Sequence, residues 1–294
     1  MKDCSSKTTL TLDAMIICFN RQIEVESAIK SCQTSGIKEI FVLDNASEPP
    51  IALGTDVHLQ RSPKNLGVCG GRNVIAESSS ADLLLFLDDD AELSQGFDLQ
   101  KVIEEFTKDP NLSVMAGLAK RGNGQIAKHE FPARKVQNIE IPRDVGYFVG
   151  CGFVIRRTVL VNLKGFDESF FYAHEETDLS LRIANANGRI FYNPALEVIH
   201  KPSDKGRDFT TKDFSRQMRN RKILSWRSLP RPISYLHLSI WFLFYSIKTS
   251  PQKYFSLFKA AFSPLTKQEK AIGRSPLPFK RLNYLQKTGY RIYW

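Results

Sequence analysis

The sequence predicts an α/β fold with a mostly parallel β-sheet flanked by helices, followed by a basic helical C-terminal extension. Apolar runs at 14–19, 37–43 and 83–87 are bounded by turn residues and separated by helical segments, as in a buried parallel sheet. Charge is divided unevenly, because residues 201–294 contain 20 Lys and Arg but 4 Asp and Glu, a net of +16. The formal charge of +10 on this 294-residue chain therefore belongs to its C-terminal third.

The first half of the chain alternates strands with helices. The run 14–19 predicts the first strand, and apolar residues at helical spacing predict a helix after it. A second strand is expected at 37–43 and a short third strand at 57–60. The glycines within 65–73 predict a tight turn that leads into a helix from about Val74.

Polar clusters follow three of these strands, namely Asn20-Arg21, Asp44-Asn45 and Asp88-Asp89-Asp90. The carboxyl ends of parallel strands meet at one edge of a sheet, so a ligand site is expected there. Three adjacent carboxylates repel one another unless a cation binds or water reaches them. Such oxygen ligands suit Mg²⁺ or Mn²⁺, which would also hold a diphosphate. The alternative is an exposed acidic turn that caps the next helix.

The second half is expected to be less regular. Its predicted elements are a helix at 97–106, a strand at 113–119, a polar irregular stretch at 122–144 that suits an acceptor groove, a glycine-interrupted strand at 145–155, a helix from Thr158, a helix at 174–187 and two short strands at 189–192 and 196–200.

An acidic cluster opens the helix at 174–187. Helical spacing places Glu175, Asp178 and Arg182 on one face and turns Glu176 about 100° away from Glu175. Asp178 and Arg182 then form a structural ion pair, which leaves Glu176, or failing that Glu175, to act as a base. The alternative is a solvated helix start. His200, at the end of an apolar strand, is either a structural residue or a third metal ligand beside Asp90.

Several functional classes lose support. The chain has neither GxGxxG nor GxxxxGK[ST], which disfavours dinucleotide oxidoreduction and P-loop hydrolysis, and HEETD is not a zinc-protease HExxH. The five cysteines, Cys4 and Cys151 among them, are scattered without a CxxC pair, so a reducing compartment is expected. Cys151 is expected to be buried. The polar first 13 residues have no signal-peptide core, which favours a cytoplasmic location.

Two aromatic and basic segments dominate the C-terminal third. The apolar run 233–247 has 15 residues, fewer than the roughly 20 that cross a bilayer as a helix, and 254–262 follows it. Such helices lie in the interface of an anionic membrane. The alternatives are packing on the preceding part of the chain and a homo-oligomer contact. Nucleic-acid binding is not expected, because no recognised binding module accompanies the charge.

In this order, the motifs resemble those of the GT-A fold family 2 glycosyltransferases, the inverting, metal-dependent group that includes bacterial rhamnosyl- and galactofuranosyltransferases. They are Phe19-Asn20-Arg21, Val42-Leu43-Asp44-Asn45-Ala46-Ser47, Asn65-Leu66-Gly67 with Gly71-Arg72-Asn73, Leu87-Asp88-Asp89-Asp90, Gly165-Phe166-Asp167-Glu168, Glu175-Glu176-Thr177-Asp178-Leu179 with Arg182, and His200. The resemblance covers about 14–225. It implies a catalytic domain at 1–225, with a donor-binding half at about 14–93 and an acceptor half at about 94–225, followed by the helical region 226–294.

The resemblance also implies roles for individual residues. The nucleotide-sugar would be bound by Phe19, Asn20, Arg21, Asp44, Asn45, Asn65, Gly67, Arg72, Asp88 and Asp89. Asp44 would read the base, which favours UDP or dTDP. Asp88 and Asp90 resemble the DxD pair, and His200 stands where the family has a metal-binding histidine. Glu176 stands at the general-base position, but the family most often has Asp there, so Glu175 remains an alternative.

The implied reaction is inverting, metal-assisted transfer of a single hexose-type sugar from a nucleoside diphosphate to an acceptor hydroxyl. The QxxRW signature of processive synthases is missing, which disfavours polymerisation. The expected acceptor is a lipid-linked glycan in polysaccharide biosynthesis, met at the cytoplasmic face of the membrane. Two alternatives remain: a sugar nucleotidyltransferase, which would release pyrophosphate, and a non-catalytic, membrane-associated nucleotide-sugar-binding protein.

Overall fold

The computed structural model describes residues 10–133, 136–202 and 214–290, which form a mixed β-sheet with helices on both faces. The strands are β1 (Leu12–Cys18), β2 (Ile40–Asp44), β3 (His58–Arg61), β4 (Leu83–Asp88), β5 (Ala91–Leu93), β6 (Leu112–Lys120), β7 (Arg143–Asp144), β8 (Gly152–Arg156) and β9 (Arg189–His200). The α-helices are α1 (Gln22–Thr34), α2 (Gly67–Glu77), α3 (Leu99–Lys108), α4 (Arg157–Asn162), α5 (Glu175–Asn185), α6 (Phe214–Ser228), α7 (Arg231–Lys248), α8 (Tyr254–Phe262) and α9 (Phe279–Lys287). Short 3₁₀ helices occur at Lys128–Glu130, Pro251–Lys253 and Gln268–Lys270.

The strand order is β3-β2-β1-β4-β8-β6-β9-β5, and β7 pairs with β9. Strands β3, β2, β1 and β4 are parallel, so the polar residues that follow them lie at one edge of the sheet. Strand β8 runs antiparallel to both β4 and β6. Strand β5 pairs antiparallel with the end of β9, which sets Ala91 opposite His200 and brings Asp90 beside that histidine. The predicted α/β class is confirmed.

The apolar residues of the strands alternate between two cores on opposite faces of the sheet. In β1, Met15 packs into one core, whereas Ala14 and Ile16 pack into the other. This alternation follows from the two-residue period of a strand. Helices α1 and α3 cover one face, and α2, α5 and α9 contribute to the core of the other.

Three elements differ from the sequence prediction. Helix α2 begins at Gly67 and not at Val74, so Gly70 and Gly71 lie inside a helix. Gly67 has a positive φ of 70°, a conformation that favours glycine. A Cβ on Gly71 would lie 3.1 Å from the side chain of Ile17, so Gly71 lets α2 pack closely on β1. The strand expected at 145–155 begins only at Gly152, and the two short strands at 189–200 are the single strand β9.

The C-terminal helices pack on the rest of the chain. The expected domain boundary at 225/226 falls inside α6, which continues to Ser228. Helices α6, α7 and α8 share an apolar cluster of Met218, Tyr245 and Leu257, and α9 contributes Leu282 and Leu285 to the core beneath the sheet. Within the described ranges, every helix is too short or too polar to cross a membrane. Cys151 is buried as expected, and Cys4 lies outside the described residues.

Candidate active site

The carboxyl edge of the parallel strands surrounds a cavity, called the first cavity below. Of the residues expected to bind donor or metal, its wall includes Phe19, Arg21, Asn45, Asn65, Gly67, Arg72, Asp88, Asp89, Asp90 and His200. Strands β1, β2 and β4 and the first turn of α2 position most of them. The structure therefore assembles most of the predicted site residues around one space.

Asp44 and Asn20 do not line the first cavity. The Asp44 carboxylate accepts hydrogen bonds from the backbone N–H groups of Ser47 (2.8 Å) and Ile51 (3.2 Å) and from Arg61 Nη1 (2.6 Å). Burial raises the pKa of Asp44, but these partners outweigh it and hold the pKa below its usual value. Asn20 likewise accepts from the backbone N–H of Glu48 at 2.7 Å. The side chains of Asp44 and Asn20 therefore stabilise the loop at 47–51 by hydrogen bonds. Asn45 lines the cavity instead.

Asp89 and Asp90 are each only 6% exposed, whereas the Asp88 side chain is 38% exposed, so the cluster is not simply an exposed acidic turn. Arg21 Nη1 donates to Asp89 Oδ1 at 2.6 Å and to Asp90 Oδ2 at 3.0 Å. Burial raises the pKa of Asp89 to about 7, against the lowering effect of Arg21. Burial likewise raises the pKa of Asp88 to about 6, against Arg72. Keeping these buried carboxylates ionised therefore costs free energy, and a bound cation would offset that cost.

Asp88, Asp90 and His200 offer ligand atoms that lie within 4.8 Å of one another. His200 Nε2 is 3.1 Å from Asp90 Oδ1. Burial lowers the pKa of His200, but hydrogen bonds to Asp90 and Glu130 raise it to about 10. A proton on His200 therefore supplies positive charge among the carboxylates, and a metal ion would displace it. Two carboxylates and one imidazole fit a divalent cation.

Glu130 and Arg121 were missed by sequence reasoning. Glu130 Oε2 lies 2.8 Å from His200 Nδ1, and Arg121 Nη2 donates to Glu130 Oε1 at 2.7 Å. Both belong to a region that carries no motif, so only the fold identifies them as partners of His200. Glu130, Cys151 and His200 form a second possible ligand group. It fits a metal less well, because burial raises the pKa of the Cys151 thiol well above its usual value.

A second cavity adjoins the first and shares Arg72, Asp88 and His200 with it. Its wall also includes Glu130, Gly150, His174, Glu175, Glu176 and Arg216. Arg72 Nη1 donates to Glu176 Oε1 at 2.9 Å, and Arg72 Nη2 donates to the Gly150 carbonyl at 3.1 Å. The buried guanidinium of Arg72 therefore lines both cavities and contacts Glu176 and Asp88.

Glu176 and Glu175 differ sharply in their surroundings. The Glu176 side chain is 18% exposed and paired with Arg72, whereas Glu175 is 4% exposed. Burial, and then the charge of Glu176, raises the pKa of Glu175 to about 8, which favours its neutral form. A Cβ on Gly150 would collide with the Glu176 carboxylate and lie 2.7 Å from Arg72 Nη2. Glycine at this position therefore leaves room for the Glu176–Arg72 pair.

The remaining acidic motif residues have structural roles. Arg182 Nε donates to Asp178 Oδ2 at 2.8 Å, as the helical spacing predicted. Arg227, from α6, donates to both Asp178 and Asp167 and is only 1% exposed. This buried network fastens α6 to the start of α5 and to the turn at Asp167.

Comparison with known proteins identifies relatives of this chain. The family model Glycosyl transferase family 2 matches residues 13–163. Rhamnosyltransferase WbbL of Escherichia coli K12 is 32% identical over 119 residues, which are 38% of this chain and 44% of that protein. The GalNAc(5)-diNAcBac-PP-undecaprenol beta-1,3-glucosyltransferase of Campylobacter jejuni is 27% identical over 191 residues, 56% of this chain and 57% of that protein. The chain thus spans about half the length of these relatives.

Solved structures share the fold. Staphylococcus aureus TarS aligns with a TM-score of 0.59 and 16% identity, over 97% of this chain and 54% of that chain. GalNAc-T7, determined with UDP, GalNAc and Mn²⁺, aligns with a TM-score of 0.57 and 16% identity, over 80% of this chain and 51% of that chain. The family match covers half of the sequence, and the chain is a member of glycosyltransferase family 2 with the GT-A fold.

Proposed function

We propose that this chain transfers a single hexose-type sugar, with inversion, from a nucleoside-diphosphate donor to an acceptor hydroxyl. The observation that carries the proposal is the pair of adjoining cavities that share Arg72 in their walls. The first cavity holds the Asp88–Asp90 cluster and the second holds the Glu176 carboxylate. A base on the acceptor side and a cation site on the donor side are what a direct displacement needs.

The donor is proposed to be UDP- or dTDP-linked and to occupy the first cavity. Asn45 and Asn65 line that cavity and are bonded to each other, with Asn45 Nδ2 3.1 Å from Asn65 Oδ1. Phe19 and Arg21 lie on the same wall. Asp44 would contribute to binding of the nucleotide base only indirectly, because its carboxylate is hydrogen-bonded to the backbone of the next loop. The UDP in the GalNAc-T7 structure supports a nucleoside-diphosphate donor.

Asp88, Asp90 and His200 are proposed to hold Mg²⁺ or Mn²⁺. When bound, such a cation supplies positive charge that stabilises the departing nucleoside diphosphate. Asp89 is not a proposed metal ligand, and its carboxylate is neutralised by the ion pair with Arg21. On the other side, Glu176 takes the proton of the acceptor hydroxyl as it attacks, so no covalent intermediate with the protein is required.

Donor hydrolysis tests this proposal. We expect the full chain to hydrolyse one member of a panel of UDP-, dTDP- and GDP-sugars, to stop when EDTA is added and to resume with excess Mn²⁺. Asp90→Asn should lose this activity, because it removes a charged ligand from the cluster. Glu92→Gln is the matched control, since Glu92 is an acidic residue of the adjoining strand β5 and pairs with Lys201. Release of pyrophosphate would indicate a nucleotidyltransferase, and donor binding without turnover would indicate a binding protein.

The acceptor is proposed to be a lipid-linked glycan, met at the cytoplasmic face of an anionic membrane. Nine of the fourteen large apolar side chains that are exposed in the described ranges lie on α7 and α8: Tyr235, Leu236, Leu243, Phe244, Ile247, Tyr254, Phe255, Phe258 and Phe262. Residues 226–294 contain 12 Lys and Arg and a single acidic residue, Glu269. An exposed aromatic surface with this charge suits an anionic bilayer interface.

Vesicle flotation tests the membrane proposal. We expect the chain to float with phosphatidylglycerol vesicles and to bind phosphatidylcholine vesicles more weakly, since each lysine near an anionic surface contributes about 1 kcal/mol. The double variant Phe255→Ser/Phe258→Ser should reduce flotation, because both rings are more than half exposed on α8. Phe279→Ser is the matched control, an exposed phenylalanine on α9. Equal flotation by all three chains would reject this surface.

A further inference from the structure

The loop after β6 folds back along that strand and brings Glu130 to the end of β9. Ala127 donates its backbone N–H to the carbonyl of Ala119 at 3.0 Å, and Glu130 donates its backbone N–H to the carbonyl of Ala127 at 2.8 Å in the 3₁₀ helix. Strand β6 in turn pairs with β9 as far as Ile199. These backbone contacts place the Glu130 side chain next to His200.

The two ring nitrogens of His200 have different partners. Nε2 lies 3.1 Å from Asp90 Oδ1, on the side of the proposed metal ligands, and Nδ1 lies 2.8 Å from Glu130 Oε2. Arg121 Nη1 also lies 3.4 Å from Nδ1, but a guanidinium only donates, so Glu130 is the acceptor for a proton on Nδ1. This hydrogen bond leaves Nε2 as the ring nitrogen that can bind a cation beside Asp88 and Asp90.

Glu130 is itself held in place by Arg121. Arg121 Nη2 donates to Glu130 Oε1 at 2.7 Å, so each oxygen of the Glu130 carboxylate has its own partner. The side chains of Glu130 and His200 are only 17% and 11% exposed, which limits competition from water for their contact. Arg121 and Glu130 together therefore restrain the imidazole through the ring nitrogen that does not contact Asp90.

We propose that Glu130 is a positioning residue, which fixes the His200 ring so that Nε2 faces Asp88 and Asp90, and that Arg121 keeps Glu130 in that position. This inference rests on the metal site of the proposed function and extends that site to a loop that contains no motif. A metal-binding histidine almost always donates its other ring N–H to a carboxylate, a carbonyl or water, and removal of that partner typically costs about 10- to 100-fold in metal affinity. Glu130 has the geometry of such a partner.

Titration of the full chain with Mn²⁺ alone tests this role, and the electron paramagnetic resonance signal of the free ion measures the affinity. We expect Glu130→Ala to weaken Mn²⁺ binding by about 10- to 100-fold. Glu130→Gln should weaken it less, because its amide oxygen still accepts a hydrogen bond from Nδ1. Glu197→Gln is the matched control, since Glu197 lies on β9 with the same 17% exposure and forms an ion pair with Lys120. The control should bind Mn²⁺ as the wild type does.

A double variant shows whether Glu130 acts through His200. In a His200→Ala chain, Glu130→Ala should cause no further loss of Mn²⁺ affinity, because the ring that Glu130 orients is gone. An undiminished further loss in that chain would overturn the proposal. It would indicate that Glu130 binds the ion directly, as its position near Cys151 and His200 allows.

The role of Glu130 and the proposed function can fail separately. Wild-type binding of Mn²⁺ that Glu130→Ala leaves unchanged would overturn the role of Glu130 and leave the metal site standing. A wild type that does not bind Mn²⁺ would contradict the metal site, and the role of Glu130 with it. Circular dichroism distinguishes a loss of affinity from unfolding, and Glu130→Gln, which keeps the size of the side chain, provides the comparison if Glu130→Ala does not fold.

Discussion

Replacing Glu176 with glutamine is expected to lower the rate of sugar transfer by about 10²- to 10⁴-fold, the usual contribution of a general base. Glutamine has nearly the same shape and can still accept a hydrogen bond from Arg72, but it cannot take a proton from the acceptor. The rate at saturating donor and acceptor measures the effect. A separate measurement of donor affinity shows whether the Glu176–Arg72 contact also matters for the first cavity.

Glu175→Gln is the matched control for this experiment. Burial raises the pKa of Glu175 and so favours its neutral form, which glutamine resembles. The control should therefore retain transfer, and circular dichroism should show that both variants are folded. Retained transfer in Glu176→Gln together with lost transfer in Glu175→Gln would reverse the assignment of the base.

Much of the first cavity could be predicted from the sequence, because it is built from strand ends. Apolar runs such as 83–87 identify strands directly, and in a parallel sheet the residues that follow them must share one edge. Local spacing likewise predicted the pair between Asp178 and Arg182, since residues four apart on a helix are neighbours.

Long-range pairing was not predictable in the same way. Asp90 and His200 meet because the three-residue strand β5 pairs with the end of β9, and so short a strand has no periodic signal. Asp44 has the right sequence position for base recognition, but its carboxylate is used by backbone N–H groups of the next loop. The helix α2 was expected to start too late, because glycines that permit close packing resemble glycines of a turn.

Arg227 links the C-terminal helices to the active site, and its replacement by methionine is expected to destabilise the fold by about 3–5 kcal/mol. The side chain is 1% exposed and bonds to Asp167 and Asp178, so methionine would leave buried carboxylates without their cation. Arg182 still compensates Asp178, which makes Asp167 the group that loses most. Denaturant unfolding of the full chain measures the change in free energy.

The double variant Arg227→Met/Asp167→Asn separates the ion pair from the packing of the arginine. Removing both charges should recover part of the stability lost in Arg227→Met, because residues in direct contact are coupled and the uncompensated carboxylate is gone. A single variant within about 1 kcal/mol of the wild type would show that the pair contributes little. A chain ended at residue 225 would lack the cation that joins α6 to Asp167 and Asp178, so α6 would pack less firmly against the start of α5. Helix α6 thus belongs to the fold that positions α5, whatever surface α7 and α8 present to a membrane.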